Sequence, residues 1–483
     1  MLLSLHGTAM VMKTIVSAYF SLFIACIGLI LIVAGSGCAN IIPPGGGPKD
    51  SLPPVLISAT PKDSTTGFAG NRVTLQFDEF VQIDNAFENV LVSPVPNTVP
   101  NITFHFKTVN IRIKDTLEPN TTYSINFGNA LKDINEGNIY KNFTYVFSTG
   151  RRLDQDSISG KVTLAETGKV DSTMIVVLHR NLADSAVAKD KPRYIAKLDG
   201  RGNFAFHNLP AGTFAIYAIP NDFSRHYDDT TKPFAFADSA IHTANNPYVA
   251  LFAYQLAKRD TATKPTKPQT TSVKNRKKQD KALLRFQTNL ESGKQDLLSN
   301  LELTFTEPIK TFDTTKIALR AKDFTPVTNY SIVPDTNKTR FLIRNNWPPN
   351  TDFNLVIDKG AFADSTGVTL VKNDTIPFTT KREEDYGSLT IRFKNLDMAK
   401  NPVLQIFQSD KMIESTPLIT PQWSRKLYDP GDYELRILYD DNKNGKWDPG
   451  RFFGVHKQPE IVVPINTKLT VRANWDNLKD ITL

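Results

Sequence analysis

Two stretches of apolar–polar alternation, Val73-Thr74-Leu75-Gln76-Phe77-Asp78-Glu79 and Leu301-Glu302-Leu303-Thr304-Phe305-Thr306-Glu307, are near copies of each other. Period-two alternation turns one set of side chains to a core and the other to water, the pattern of a half-buried strand. Each stretch opens a series of motifs that returns in the same order. Pro119-Asn120-Thr121-Thr122-Tyr123-Ser124-Ile125 returns as Pro349-Asn350-Thr351-Asp352-Phe353-Asn354-Leu355, and Lys132-Asp133-Ile134-Asn135-Glu136-Gly137 as Ala363-Asp364-Ser365-Thr366-Gly367. Both series close on a strand, ending in Phe147-Ser148-Thr149 or Phe378-Thr379-Thr380. The separation stays near ~230 residues across all of them, the mark of an internal duplication. A second kind of unit follows each copy. Leu209-Pro210-Ala211-Gly212-Thr213-Phe214-Ala215-Ile216 aligns with Tyr428-Asp429-Pro430-Gly431-Asp432-Tyr433-Glu434-Leu435. Pro and Gly make a tight turn there, and the alternating aromatic and aliphatic residues start a strand. The chain reads A-B-A′-B′.

Composition agrees with strands. Phe (30) and Pro (30) are frequent and Met (6) is scarce, and abundant aromatic, β-branched and turn residues fit strands better than helices. The expected fold class is all-β: tandem sandwiches in an A-B-A′-B′ duplication, preceded by a signal helix. The only cysteines are Cys26 and Cys38, so nothing beyond residue 38 can form a disulfide or a cysteine metal site. The formal charge of +8 is local: segment 256–282 holds nine lysines and arginines against Asp260 and Asp280. That run, lacking aromatic residues and nearly lacking aliphatic bulk, reads as a disordered basic linker. The remainder is close to neutral, which argues against nucleic acid as a partner.

The apolar run 14–37 follows Lys13 and ends in Ala34-Gly35-Ser36-Gly37-Cys38. A basic residue, an apolar core and a small-residue end form the secretory-signal pattern. The run is also long enough to span a bilayer, so an uncleaved anchor is the alternative. The ending resembles a bacterial lipobox, with Gly35 where leucine is usual. That resemblance implies lipidation of Cys38, a tether over 38–52 and attachment to a membrane. No acidic cluster follows Cys38, which favours a periplasm-facing outer-membrane position in a Gram-negative cell over the cell surface.

The A units, 53–150 and 283–381, resemble bacterial Ig-like domains of the surface-layer (SbsA) type. The resemblance rests on the strand ending at Phe77-Asp78-Glu79, the turn and strand from Pro119 to Tyr123, and the Asp133–Gly137 loop before the last strand. The B units, 155–255 and 386–483, resemble the transthyretin-like or carboxypeptidase-regulatory-like sandwich through Gly202-Asn203-Phe204-Ala205-Phe206-His207-Asn208-Leu209-Pro210-Ala211-Gly212. The second B copy lacks the Gly-x-Phe strand before its turn. The whole arrangement is similar to Ig-like lipoproteins of the Bacteroidetes. Recurrent triplets such as Asp171-Ser172-Thr173 and Asp364-Ser365-Thr366, and Thr261 in the linker, resemble the O-glycosylation sequence of that group's envelope proteins; they are also ordinary turn residues.

The sharpest chemical signal is Asp440-Asp441-Asn442-Lys443-Asn444-Gly445-Lys446-Trp447-Asp448. Asp440, Asn442, Asn444 and Asp448 take alternate ligand positions of a Ca²⁺ loop, with Gly445 at the sharp turn. Arg451 stands where the bidentate Glu belongs. The competing reading is an Asx-rich hairpin around Asn444-Gly445. Trp447 is a candidate ligand platform, since an exposed indole can stack on a sugar; packing of Trp347, Trp423, Trp447 and Trp475 is the plainer expectation. No zinc-protease, nucleophile-elbow or phosphate-loop motif occurs, and no catalytic residue is assigned. The expected function is a non-catalytic, lipid-anchored envelope protein, a spacer whose basic hinge joins two rigid halves or an adhesion scaffold. The alternative is a carbohydrate-binding accessory protein. Glycans or envelope polymers are the expected partners, together with the membrane.

Overall fold

The computed structural model describes residues 17, 19–25, 27–28, 49–222, 224–256 and 284–483. The expected lipidation site Cys38, most of the signal segment and the basic linker lie outside the described residues. Among the described residues no helix is long and apolar enough to cross a membrane.

The first unit is a sandwich. Leu56–Thr60, Arg72–Phe77, Thr108–Arg112 and Asn101–His105 form one antiparallel sheet. Leu91–Ser93, Thr122–Asn126 and Thr144–Ser148 form the other, and Val81–Ile83 pairs with Leu131–Asp133 at the side. Alternation does the work expected of it: Val73, Leu75 and Phe77 have no solvent exposure, and they meet Ile125, Tyr145 and Phe147 from the opposite sheet in one core. The third unit pairs its strands in the same order and adds a short one, Lys294–Gln295, parallel to its last strand. Phe286–Thr288, Leu301–Phe305, Arg340–Asn345 and Tyr330–Pro334 make one sheet, and Ile317–Ala321, Asp352–Ile357 and Asp374–Thr380 the other, with Ile309–Phe312 against Phe362–Asp364.

The loop before the last strand explains its recurrence. Asp133 is fully buried and accepts the N–H groups of Glu136 (2.7 Å), Gly137 (2.9 Å) and Asn138 (2.7 Å). Asp364 accepts those of Thr366 (2.8 Å) and Val368 (2.9 Å). Gly137 (φ 79°) and Gly367 (φ 84°) close both turns in the left-handed region, which glycine enters at no steric cost.

The second and fourth units share a different topology. Asp156–Leu164 pairs antiparallel with Asn203–Leu209 and parallel with Tyr248–Ala253; Gly387–Lys394 pairs likewise with Gln422–Tyr428 and Asp476–Thr482. The facing sheets run Tyr194–Lys197, Met174–His179, Thr213–Pro220, Ala235–Phe236 and Lys411–Pro417, Pro402–Gln408, Gly431–Tyr439, Ile461–Val471. Gln422–Tyr428 thus takes the place of Asn203–Leu209 without the Gly-x-Phe signature.

The relation between the halves departs from two bodies joined by a hinge alone. The second and fourth units are docked on each other. Phe452 of the fourth, 4% exposed, lies 5.4 Å from Tyr217, 5.3 Å from Phe234 and 4.9 Å from Phe236 of the second, ring centre to ring centre. The Gln458 amide donates to the Phe236 carbonyl (3.0 Å), and Val462 N–H donates to the Ala165 carbonyl (2.8 Å). Gly168, at φ 65°, runs so close to Pro464 that an added methyl would meet that ring at 2.2 Å. Arg193 and Glu118 join the second unit to the first, and Tyr386 Oη, accepting from Leu297 N–H at 2.7 Å, helps join the fourth to the third. In space the order is first, second, fourth, third.

Candidate functional site

Gly431–Tyr439 is a long, mostly buried strand, and the chain leaves it at Asp440 into a loop that returns to the sheet at Ile461. Asp440 is 1% exposed and accepts the N–H groups of Gly445 (2.7 Å) and Asn444 (3.3 Å). Asn442 Oδ1 accepts from Asn444 N–H (3.0 Å), and Asn444 Oδ1 from Lys446 N–H (2.7 Å). The side-chain amides of Asn442 and Asn444 both converge on Asp448 Oδ2. The four residues singled out by spacing therefore hydrogen-bond within one turn. Arg451 does not enter it: its side chain is exposed and its backbone pairs with Lys457.

Sequence spacing missed the carboxylate that holds this loop. Glu460 is 2% exposed; its Oε1 accepts Asp441 N–H (3.0 Å) and its Oε2 accepts Asp448 N–H (2.9 Å), clasping both ends of the turn. Burial pushes its carboxyl above the usual glutamate range; these two hydrogen bonds pull the other way, and the nearby charges of Asp440 and Asp448 add to the rise. The one signal available was an acidic residue directly before the apolar run Ile461-Val462-Val463, where a strand would ordinarily begin on solvent.

Among the described residues neither Asp440, Asp448 nor Glu460 forms an ion pair with a basic side chain. The corresponding loop of the second unit differs in just this respect. There Lys232 reaches Asp222 (2.8 Å) and Asp228 (3.6 Å) and supplies the positive charge itself. The oxygen-rich donor set of the Asp440 loop suits a hard divalent cation such as Ca²⁺.

Trp447 is half-buried. Its Nε1–H donates to the Glu460 carbonyl at 2.7 Å, and its ring packs against the aromatic joint between second and fourth units and against Val403, Leu438 and Val462. It is engaged in packing rather than presented for stacking. Trp347 is buried in the third core, whereas Trp475 is 61% exposed with the Arg472 guanidinium 5.5 Å from its ring centre. Among the described residues, the three acidic side chains that come within 4.8 Å of one another are those of a different site, Glu79, Asp133 and Glu136. Asp133 is already committed to the backbone of its own turn, which accounts for that cluster structurally.

Residues 50–149 match the bacterial Ig-like domain family, a match that covers the first unit alone. No curated protein matches the chain. Among solved structures, the TIE protein of Bacillus anthracis is 12% identical, with 91% of this chain and 75% of that one covered, at a TM-score of 0.16. BcpA, the major pilin subunit of Bacillus cereus, is 11% identical over 68% of this chain and 99% of its own, TM-score 0.16. An alpha-2-macroglobulin fragment from Escherichia coli is 15% identical over 38% and 70%, TM-score 0.19.

Proposed function

We propose that this chain is a non-catalytic scaffold of a bacterial cell envelope, tethered to the outer membrane through a lipidated Cys38 and facing the periplasm. The observation that carries the reading is the docking of four sandwiches into one run, with sheet edges and loop tips used for joints. Edge strand Ile461–Val471 is covered by the Ala165–Gly168 turn of the second unit, which protects an edge and fixes a shape at once. Several strongly perturbed titratable groups support the same reading. Tyr217, Tyr227, Tyr254, Tyr386 and Tyr428 are raised by burial in cores and joints, as packing residues are.

The test is fractionation of cells expressing the full chain. The protein should sediment with outer membranes and be released by detergent but not by salt, and Cys38→Ala should turn soluble. Incubated with isolated cell-wall polymer, the purified chain should release no soluble fragment. Release of low-mass products would end the non-catalytic reading, and unchanged sedimentation of the Cys38 variant would end the anchor.

A second element of the proposal is that the Asp440 loop takes Ca²⁺, with Asp440, Asn442, Asn444, Asp448 and Glu460 as its oxygen donors. Two deeply buried carboxylates without a basic partner favour it over the plain hairpin turn. Titration calorimetry with CaCl₂, and MgCl₂ as control, should show one saturable site lost in Asp440→Asn. No heat beyond dilution would leave the hairpin.

A further inference from the structure

We propose that the cleft between the first and second units is a binding site for a neutral oligosaccharide, a role beyond scaffolding. The cleft encloses about 490 Å³, within the size range of small-ligand sites, which often form where two domains meet.

One wall is the outer face of the sheet Leu91–Ser93, Thr122–Asn126, Thr144–Ser148. Register sets Ser93 beside Ser124 and Asn126 beside Thr144, so the outward positions of three strands form a continuous surface of hydroxyls and an amide. The opposite wall comes from Tyr194–Lys197 and Asn203–Leu209 of the second unit, whose outward residues Ala205 and His207 face water. Among the described residues, the side chains of Ser93, Ser124, Asn129 and His207 form no hydrogen bond within the protein. They are therefore open donors and acceptors converging on one cleft.

The charges along the walls are already engaged. Asp84 pairs with Lys132 at 2.7 Å. Lys197 Nζ donates to the Glu88 carbonyl (2.8 Å) and Asn89 Oδ1 (3.2 Å). Asp199 accepts from the backbone N–H groups of Arg201 and Asn203 and from the Asn203 amide, each at 2.8 Å. Among the described residues that line the cleft, an anion would find no free lysine or arginine. An apolar ligand would cover hydroxyls and amides without pairing them, which costs more than its own burial returns. A polyhydroxylated neutral ligand both donates and accepts at every hydroxyl, and its C–H face can lie on Leu91 and Ala205.

The walls are held apart at a fixed distance. The Arg193–Glu118 pair, the hydrogen bond from Val95 N–H to the Arg193 carbonyl (2.9 Å) and the contact of Lys191 with the Pro96 carbonyl all bridge the two units beside the cleft. A pre-formed cleft loses little freedom on binding.

The test uses the full chain beyond residue 38 against gluco-, manno-, xylo- and chitohexaose, with a heparin hexasaccharide as the charged comparison. At least one neutral hexasaccharide should bind with a Kd below about 1 mM. The double variant His207→Ala/Asn129→Ala, which removes exposed groups only, should keep the wild-type melting temperature and bind about tenfold more weakly. Ser124→Phe should block the cleft, and Trp475→Ala should bind as wild type does. The proposal is overturned if none of the four neutral sugars binds, if the heparin fragment binds instead, or if the double variant retains full affinity. Loss of binding in Trp475→Ala alone would overturn it equally, by moving the site to the fourth unit.

Discussion

The Arg193 guanidinium and the Glu118 carboxylate meet fork to fork across the joint between first and second units, Nη1 on Oε1 at 2.5 Å and Nη2 on Oε2 at 2.6 Å. Such paired charge-assisted bonds fix orientation as well as distance. The Arg193 side chain is largely buried and the Glu118 carboxylate half exposed. Hydrogen bonding from Arg193 is the main reason the Glu118 carboxyl sits below its usual range, and burial partly opposes it. A lowered carboxylate contributes stability above its unfolded pKa of about 4.5 and loses that contribution as pH falls through its folded value. Glu118→Gln should therefore cost roughly 1 kcal/mol at neutral pH, a modest figure because water screens half of the pair. The cost should shrink as the pH is taken well below 4.5, where the wild type becomes protonated in both states. Urea unfolding of wild type and variant at neutral and at acid pH checks this; an equal difference at both would show that the pair has no electrostatic role.

Phe452 makes a larger claim. Its ring contacts Tyr217, Phe234 and Phe236 of the second unit together. Truncating a buried phenylalanine costs on the order of 3–5 kcal/mol, and here that loss falls on a joint rather than on a unit's own core. Phe452→Ala should leave four folded sandwiches and separate the halves. Small-angle scattering should report a larger radius of gyration, and calorimetry should resolve a transition that the wild type merges. An unchanged scattering curve would mean the remaining contacts, such as Gln458 with Phe236, hold the halves unaided.

His179 gives the second unit an acid limit. It ends the buried strand Met174–His179, lies edge-on to Tyr217 at 5.8 Å, and its Nε2 is buried without a hydrogen-bond partner. Burial lowers it from 6.5 to about 4; Asp190 works against that shift and His226 with it. The unfolded chain thus takes up the proton first. Stability is whole above about pH 6.5 and falls towards pH 4, by roughly 2–3 kcal/mol in all. In His179→Phe the slope of stability against pH over that window should flatten. A slope unchanged from wild type would assign the acid sensitivity elsewhere.

The sandwiches were legible in the sequence because their cause is local. Val73, Leu75 and Phe77 alternate, and alternation alone decides which face they bury. Gly137 and Gly367 end loops that only a left-handed residue closes. The joints were not legible, because their cause is not local. Phe452 reads as one more apolar residue beside a turn, and nothing in its neighbours says that a second sandwich lies above it. Trp447 shows the same blindness: an indole in a polar loop suggests exposure, and only the returning chain at Glu460 gives its N–H a partner. The candidate cation loop was half legible. Its ligands from Asp440 to Asp448 follow a fixed spacing, whereas Glu460 reaches them through the return of the chain to the sheet, which spacing cannot register.

That return makes the loop and the joint one segment, and the last prediction follows from it. Asp440 and Glu460 bracket the stretch that carries both Trp447 and Phe452. If Ca²⁺ binds the folded loop alone, calcium at a hundredfold excess over its Kd should stabilise the chain by about 2.7 kcal/mol. The gain should appear in the transition assigned to the fourth unit, with a change in Trp447 fluorescence. Glu460→Gln should lower the cation's affinity while leaving the hairpin hydrogen bonds to Asp440 in place. Because Phe452 sits between those two ends, chelation should also speed proteolytic cutting between residues 449 and 458. Equal melting and equal cutting in calcium and in chelator would show that Asp440 and Glu460 hold the turn through backbone N–H groups alone.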